Sequence, residues 1–105
     1  MNIVNWSRGD VDDSATVQKC VRSDGRINIS FRNLIDATEG QVSFAAKSGN
    51  QDAIGRWIWN SKTSESATWN VHGRLTKFVG QVVFEGTWEA DSGEPWDFYL
   101  DTVYL

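Results

Sequence analysis

The stretch Arg26-Ile27-Asn28-Ile29-Ser30-Phe31 alternates polar and apolar side chains at every position. Successive side chains of a strand point to opposite faces, so this alternation predicts a half-buried β-strand with one face in water. The same alternation recurs at 42–46, 67–72, 81–89 and 96–101. From these strands we expect a core that contains Ile29, Phe44, Trp69, Phe84, Trp88 and Phe98.

Four weaker segments, 2–6, 15–21, 54–59 and 74–79, are also strand candidates. Glycines at 25, 40, 49, 73, 80 and 93 predict turns or bulges between strands. Only residues 31–38 break the alternation enough to hold one helical turn. Many short strands at this spacing predict an all-β fold, namely an antiparallel β-sandwich or small β-barrel of roughly 7–9 short strands.

The chain has 105 residues, of which 40% are hydrophobic and 23% charged, and this composition is typical of one globular domain spanning 1–105. No apolar run reaches the ~20 residues of a membrane span, and the first thirty residues lack the apolar block of a signal peptide. The single cysteine, Cys20, cannot form an internal disulfide. We therefore expect a protein without a membrane span in a reducing, cytoplasmic compartment, with Cys20 packed in the core.

The net charge of -4 argues against nucleic acid as a partner, because nucleic-acid binding needs a basic surface. After Lys77 the chain carries six acidic residues and no basic one. Four of these acids share the outward faces of the predicted final hairpin. We interpret this face either as a solubilising surface or as a site for a cation or a basic partner; its residues are Glu85, Glu89, Asp97 and Asp101.

Two registers are compatible with that hairpin. One places Glu89 opposite Asp97, which opposes like charges. The other places Trp88 opposite Trp96 and favours an aromatic pair; each effect is worth roughly 0.2–1 kcal/mol. We predict the second register, in which the carboxylates lie diagonally. Diagonal carboxylates fit neither a metal cage nor a catalytic pair.

Residues 54–59 are apolar on both faces of the strand, since Ile54 and Ile58 oppose Trp57 and Trp59. Such a strand is either covered on both sides or keeps one face for a ligand or another subunit. Two indoles two residues apart would stand about 7 Å from each other, a spacing that suits stacking on a sugar ring or another flat molecule. We expect the ligand-binding residues to be Trp57, Trp59, Arg56 and Tyr99. We also expect a homodimer, formed by edge pairing or by face packing.

Catalysis has little support in the sequence. His72 is the only histidine and falls on the polar side of its strand, and Cys20 has no second thiol. Zinc needs three or four ligands of these two types, so we expect neither a metal nor a cofactor.

Two short stretches resemble parts of lipid-binding protein families. Residues 71–84, VHGRLTKFVGQVVF, resemble a hairpin of the YceI-like lipid-binding barrels, and NSKT at 60–63 with WNVHG at 69–73 is similar to part of the aegerolysins, which are β-sandwiches. Each resemblance covers a minority of the chain, and both families have longer chains. Both imply an all-β binding protein, and neither assigns a role to any residue.

Three functions from different classes remain open. The first is a non-catalytic β-domain that binds a carbohydrate or an apolar small molecule through tryptophan and tyrosine side chains. The second is a protein-interaction or self-assembling module that uses an aromatic patch and the acidic hairpin. The third is a small hydrolase with a glycosidase-like carboxylate pair. We favour the first, because a lone histidine and a lone cysteine offer little catalytic chemistry.

Overall fold

A computed structural model describes residues 2–33, 35, 38–60, 65–89 and 94–104, with only the backbone at 59, 60, 65 and 66. The described residues form eight strands. They include no helix that is long and apolar enough to cross a membrane. The strands are β1 (Ile3–Arg8), β2 (Val11–Ser23), β3 (Arg26–Asn33), β4 (Thr38–Ala45), β5 (Gly49–Asn60), β6 (Glu65–Phe78), β7 (Gln81–Glu89) and β8 (Trp96–Val103).

Each strand pairs antiparallel with the next, and β8 returns to pair with β1, which closes the sheet into a barrel. Val4 lies opposite Leu100 and Trp6 opposite Phe98 across this closing pair. The predicted all-β class is confirmed. Of the two architectures expected from the sequence, sandwich and barrel, the chain adopts the barrel. Because β1 and β8 pair with each other, neither of them is left as a free sheet edge.

The inward positions fill the barrel with one apolar core. Phe44 of β4 and Phe84 of β7 stack across the interior with their ring centroids 4.5 Å apart. Of the six side chains predicted for the core, Trp88 is half-buried and the other five are buried: Ile29, Phe44, Trp69, Phe84 and Phe98.

A β-bulge in β2 explains why the alternation over 15–21 is weak. The pairing with β3 shifts between Val17 and Lys19, so one extra residue stands in β2. As a result the two buried side chains on either side, Val17 and Cys20, are three residues apart instead of two. The predicted core position of Cys20 is confirmed.

The expected turns at Gly40 and Gly73 are wrong, because both residues lie inside strands. Gly73 of β6 pairs with Gly86 of β7, and a Cβ on Gly73 would lie 2.3 Å from the carbonyl oxygen of Glu85. The glycine therefore serves the close approach of two backbones, and β6 runs without interruption where we expected two strands. Turns do occur at Gly25 and Gly80, with φ of 74° and 75°.

The expected helical turn at 31–38 falls mostly outside the described residues. β3 continues to Asn33 and β4 begins at Thr38, and between them only Ile35 is described. The turn stays a prediction.

The final hairpin adopts the predicted register. Trp88 lies opposite Trp96, Thr87 opposite Asp97 and Glu85 opposite Tyr99. Aromatic pairing and the separation of like charges therefore favour the same alignment.

A side-chain amide completes the barrel wall where β4 and β5 separate. Their backbone pairing covers only Glu39–Val42 with Gly55–Ile58. Further along, the N–H of Ala45 donates to Oε1 of Gln51 at 2.9 Å, and Nε2 of Gln51 donates to the carbonyl oxygens of Ala45 and Lys47, each at 2.9 Å. The amide of Gln51 thus takes the place of a neighbouring strand's peptide group.

We expect Gln51→Ala to lower the free energy of unfolding by about 1–3 kcal/mol, because the N–H of Ala45 loses its acceptor, while the carbonyl oxygen of Ala45 keeps the N–H of Lys47 at 2.8 Å. Urea denaturation measures this change. Gln18→Ala on β2 removes an exposed amide and serves as the control, with an expected change within about 0.5 kcal/mol. Equal midpoints for the two variants would contradict the role of Gln51.

Candidate functional site

Aromatic side chains concentrate at one end of the barrel, which we name the tryptophan end. Odd-numbered strands run towards this end and even-numbered strands start from it, so it carries the β1–β2, β3–β4, β5–β6 and β7–β8 connections. The rings packed at this end are Trp6, Phe31, Trp57, Trp69, Trp88, Trp96 and Phe98.

Four of these indoles contact each other in a closed circuit. Trp6 meets Trp57 edge-on, with centroids 5.3 Å apart and planes at 73°, and stacks on Trp88 at 5.5 Å and 28°. Trp69 completes the circuit, with its centroid 6.3 Å from Trp57 and 5.1 Å from Trp88. We name these four residues the indole circuit; such pairs add to the free energy of burial by about 0.5–1.5 kcal/mol each.

Two inward-facing glycines make room for the rings. A Cβ on Gly40 would lie 2.2 Å from the ring of Phe31 and 2.7 Å from that of Trp57, which are its partners on β3 and β5. A Cβ on Gly55 would lie 2.4 Å from the ring of Trp69, its partner on β6. Each ring therefore occupies the space that a neighbouring side chain would have filled.

The rim of the tryptophan end consists of half-buried rings and a cation. Trp88 and Trp96 are half-buried, with centroids 6.0 Å apart. The guanidinium carbon of Arg8 lies 4.4 Å from the centroid of the Trp96 ring, and its Nη1 donates to the carbonyl oxygen of Glu94 at 3.3 Å. This cation–π contact holds Arg8 against the half-buried ring of Trp96.

Two polar atoms inside the indole circuit have no hydrogen-bond partner. Within the described part of the chain, these buried side-chain atoms are Nε1 of Trp69 and Nε1 of Trp88. A buried donor left without a partner costs about 1–3 kcal/mol, so such atoms are rare in native proteins and are often found at functional sites. The circuit therefore contains two buried donors without an acceptor among closely packed indole rings.

The expected ligand residues do not come together as one surface. Trp57 is buried in the circuit, with 9% of its surface exposed, and the side chain of Trp59 lies outside the described residues. Arg56 is exposed on β5, and Tyr99 is 36% exposed on β8. In a barrel of eight strands β5 and β8 are three strands apart, so Arg56 and Tyr99 lie on different sides of the barrel's outer surface.

The circuit residues Trp6, Trp69 and Trp88 were not among the ligand residues expected from the sequence. Their positions within the strands nevertheless indicate that these residues lie together. Trp6 and Trp88 come late in odd-numbered strands, whereas Trp69 and Trp96 come early in even-numbered strands. In an up-and-down barrel these positions all fall at the same end.

The acidic residues of the final hairpin face outwards, as expected. Glu85, Glu89 and Asp97 are exposed, and Asp101 is half-buried. Nε2 of Gln81 donates to Asp101 at 2.8 Å. The described residues contain no group of three or more His, Cys, Asp or Glu side chains that could hold a metal ion.

Basic residues of β6 lie beside this acidic face in the barrel, although no basic residue follows Lys77 in the sequence. Arg74 of β6 lies opposite Glu85, and Nε2 of His72 lies 3.8 Å from Glu89. On the same face the hydroxyl of Tyr99 donates to Asp101 at 3.3 Å. Desolvation, together with the nearby charges of Asp101 and Glu85, raises the pKa of Tyr99 and keeps this phenol neutral.

His72 and Cys20 are the residues that the sequence offers for acid–base or nucleophilic chemistry. Neither belongs to the indole circuit. His72 is on the outer wall, where Nδ1 is hydrogen-bonded to Oδ1 of Asp52. Cys20 is buried, and desolvation raises the pKa of its thiol, which disfavours the reactive thiolate.

Comparison of the chain with family models, curated proteins and solved structures finds no match. What supports a function is therefore the geometry of the molecule itself.

We expect His72 to titrate above its ordinary pKa of 6.5, because its hydrogen bond to Asp52 and the charges of Asp52 and Glu89 together outweigh the opposing effect of desolvation. A raised pKa in the folded state contributes stability below pH 6.5, and this contribution is lost as the pH rises through the folded-state pKa. Titration of the imidazole signals by NMR measures the value. Asp52→Asn should bring the pKa back towards 6.5, and a wild-type value at or below 6.5 would contradict the pairing.

Proposed function

We propose that this protein is a non-catalytic binding domain that holds a carbohydrate at the tryptophan end of its barrel. The observation that carries the proposal is the pair of unpartnered donors, Nε1 of Trp69 and Nε1 of Trp88, within a circuit of indole rings.

The donors favour a sugar over a hydrocarbon. An apolar ligand would cover the rings but leave both N–H groups without an acceptor, so their desolvation cost would remain. A sugar ring presents C–H groups, which pack on indole faces, and hydroxyl oxygens, which accept hydrogen bonds. A carbohydrate therefore matches both the flat apolar faces and the two donors.

The rim supplies further polar contacts for hydroxyl groups. Arg8 brings a donor-rich guanidinium to the edge of the Trp96 ring. On β2, Asp12 and Asp13 lie opposite Ser7 and Trp6 at the same end of the barrel, where their Oδ1 atoms accept hydrogen bonds from Nδ2 of Asn5 at 2.6 Å and from the N–H of Ser14 at 2.8 Å. Hydroxyl groups both donate and accept, so a mixed rim of this kind suits a neutral polyhydroxylated ligand.

The competing explanation is that the two N–H groups face neighbouring rings. Trp69 and Trp88 are tilted by 49° with centroids 5.1 Å apart, a geometry in which an N–H···π contact is a weak substitute for a hydrogen bond. In that case the indole circuit serves stability alone, and no sugar binds.

Fluorescence of the indoles distinguishes these explanations. We expect at least one of maltose, cellobiose and N,N′-diacetylchitobiose to change the emission with saturation below ~10 mM, the range of weak sugar sites. Trp88→Phe keeps an aromatic ring but removes one N–H, and it should weaken binding about three- to tenfold. Tyr99→Phe on the outer wall is the control and should leave the affinity unchanged.

Two results would overturn the proposal. One is the absence of any emission change with all three sugars, with the thermal midpoint showing a folded protein. The other is a response to the apolar dye N-phenyl-1-naphthylamine alone, which would indicate a hydrocarbon site. Unchanged sugar affinity in Trp88→Phe would contradict the role of its N–H.

A further inference from the structure

A groove of about 440 Å³ crosses the outer wall of the barrel over strands β2 to β5. A row of four side chains spans it, because Lys19 lies opposite Ser30, Ser30 opposite Gln41 and Gln41 opposite Arg56. Neighbouring strands are about 4.8 Å apart, so three steps place the two cationic residues about 14 Å from each other. The row thus has a basic residue at each end and neutral polar groups between them.

The lining of the groove has the character of an interaction surface. It contains the basic residues Lys19 and Arg56 and no carboxylate. Ile54, also in the lining, has 68% of its surface exposed. Ile54 therefore gives the groove one exposed apolar contact beside its two cations.

The acidic face of β7 and β8 matches this groove in charge and in spacing. Glu85 and Glu89 are both exposed and are four residues apart on β7, which places them about 13–14 Å from each other. Tyr99 lies opposite Glu85 and is partly exposed. The acidic face therefore presents two anions at the separation of the two cations, with an aromatic ring beside one of them.

We propose that the groove receives the acidic face of a second copy of this chain. In this contact Lys19 and Arg56 of one copy pair with Glu85 and Glu89 of the next. The two surfaces lie on different sides of the barrel, so the contact is heterologous, and a dimer keeps one free groove and one free acidic face for further copies. This assembly is independent of sugar binding, because neither surface includes the indole circuit.

Sedimentation of the wild-type protein tests the attraction. At ~100 µM and low ionic strength we expect dimers and larger species, whose amount falls at least about tenfold when salt is raised to ~0.5 M, since salt screens the paired charges. A monomer under the low-salt conditions, or association that does not respond to salt, would overturn the proposal.

Complementation of two variants tests the geometry. The groove variant Lys19→Gln/Arg56→Gln and the face variant Glu85→Gln/Glu89→Gln should each be monomeric alone. When they are mixed, the intact acidic face of the first meets the intact groove of the second. A heterologous contact therefore predicts a 1:1 complex that grows no further, and monomers in the mixture would overturn it.

A matched control separates this contact from a general effect of charge. Arg22→Gln/Lys47→Gln removes two cations outside the groove lining and should associate as the wild type does. If it loses association as fully as the groove variant, net charge and not the groove governs assembly. Circular dichroism and thermal midpoints establish that each variant is folded.

Discussion

The packing of aromatic rings over two glycines determines the structure of the tryptophan end. The interior of an eight-stranded barrel is just wide enough for side chains to fill. Four indoles fit there because Gly40 and Gly55 have no side chain, and any Cβ at those positions would lie within 2.7 Å of a ring. Removing a side chain from β4 and β5 is thus what allows tryptophans on β1, β5, β6 and β7 to meet.

This packing also accounts for the unpartnered donors. In a closed barrel the backbone N–H and C=O groups of the wall pair with one another, so an inward-facing donor needs a polar side chain, a water molecule or a ligand. Trp69 and Trp88 pack against other indole rings, which offer no oxygen acceptor. A ligand with oxygen acceptors would supply the missing hydrogen bonds, which is the physical basis for proposing a ligand there.

The sequence predicted the strands well because alternation depends only on local geometry. It also predicted the register of the final hairpin, where Trp88 faces Trp96, since that choice compares short-range pair energies. It could not decide between sandwich and barrel, because closure requires β1 to pair with β8, almost the whole length of the chain away. Nor could it orient residues 54–59: both faces are apolar, yet Trp57 is 9% exposed and Ile54 68% exposed.

The most direct test of the account is the NMR signal of each indole N–H, recorded in ¹⁵N-labelled protein during titration with the three disaccharides. Spectra of Trp69→Phe and Trp88→Phe assign the two signals that matter. The account predicts that these two proton resonances move downfield on sugar binding, because each N–H gains an oxygen acceptor. Binding that leaves both resonances in place, or the absence of any shift, would contradict it.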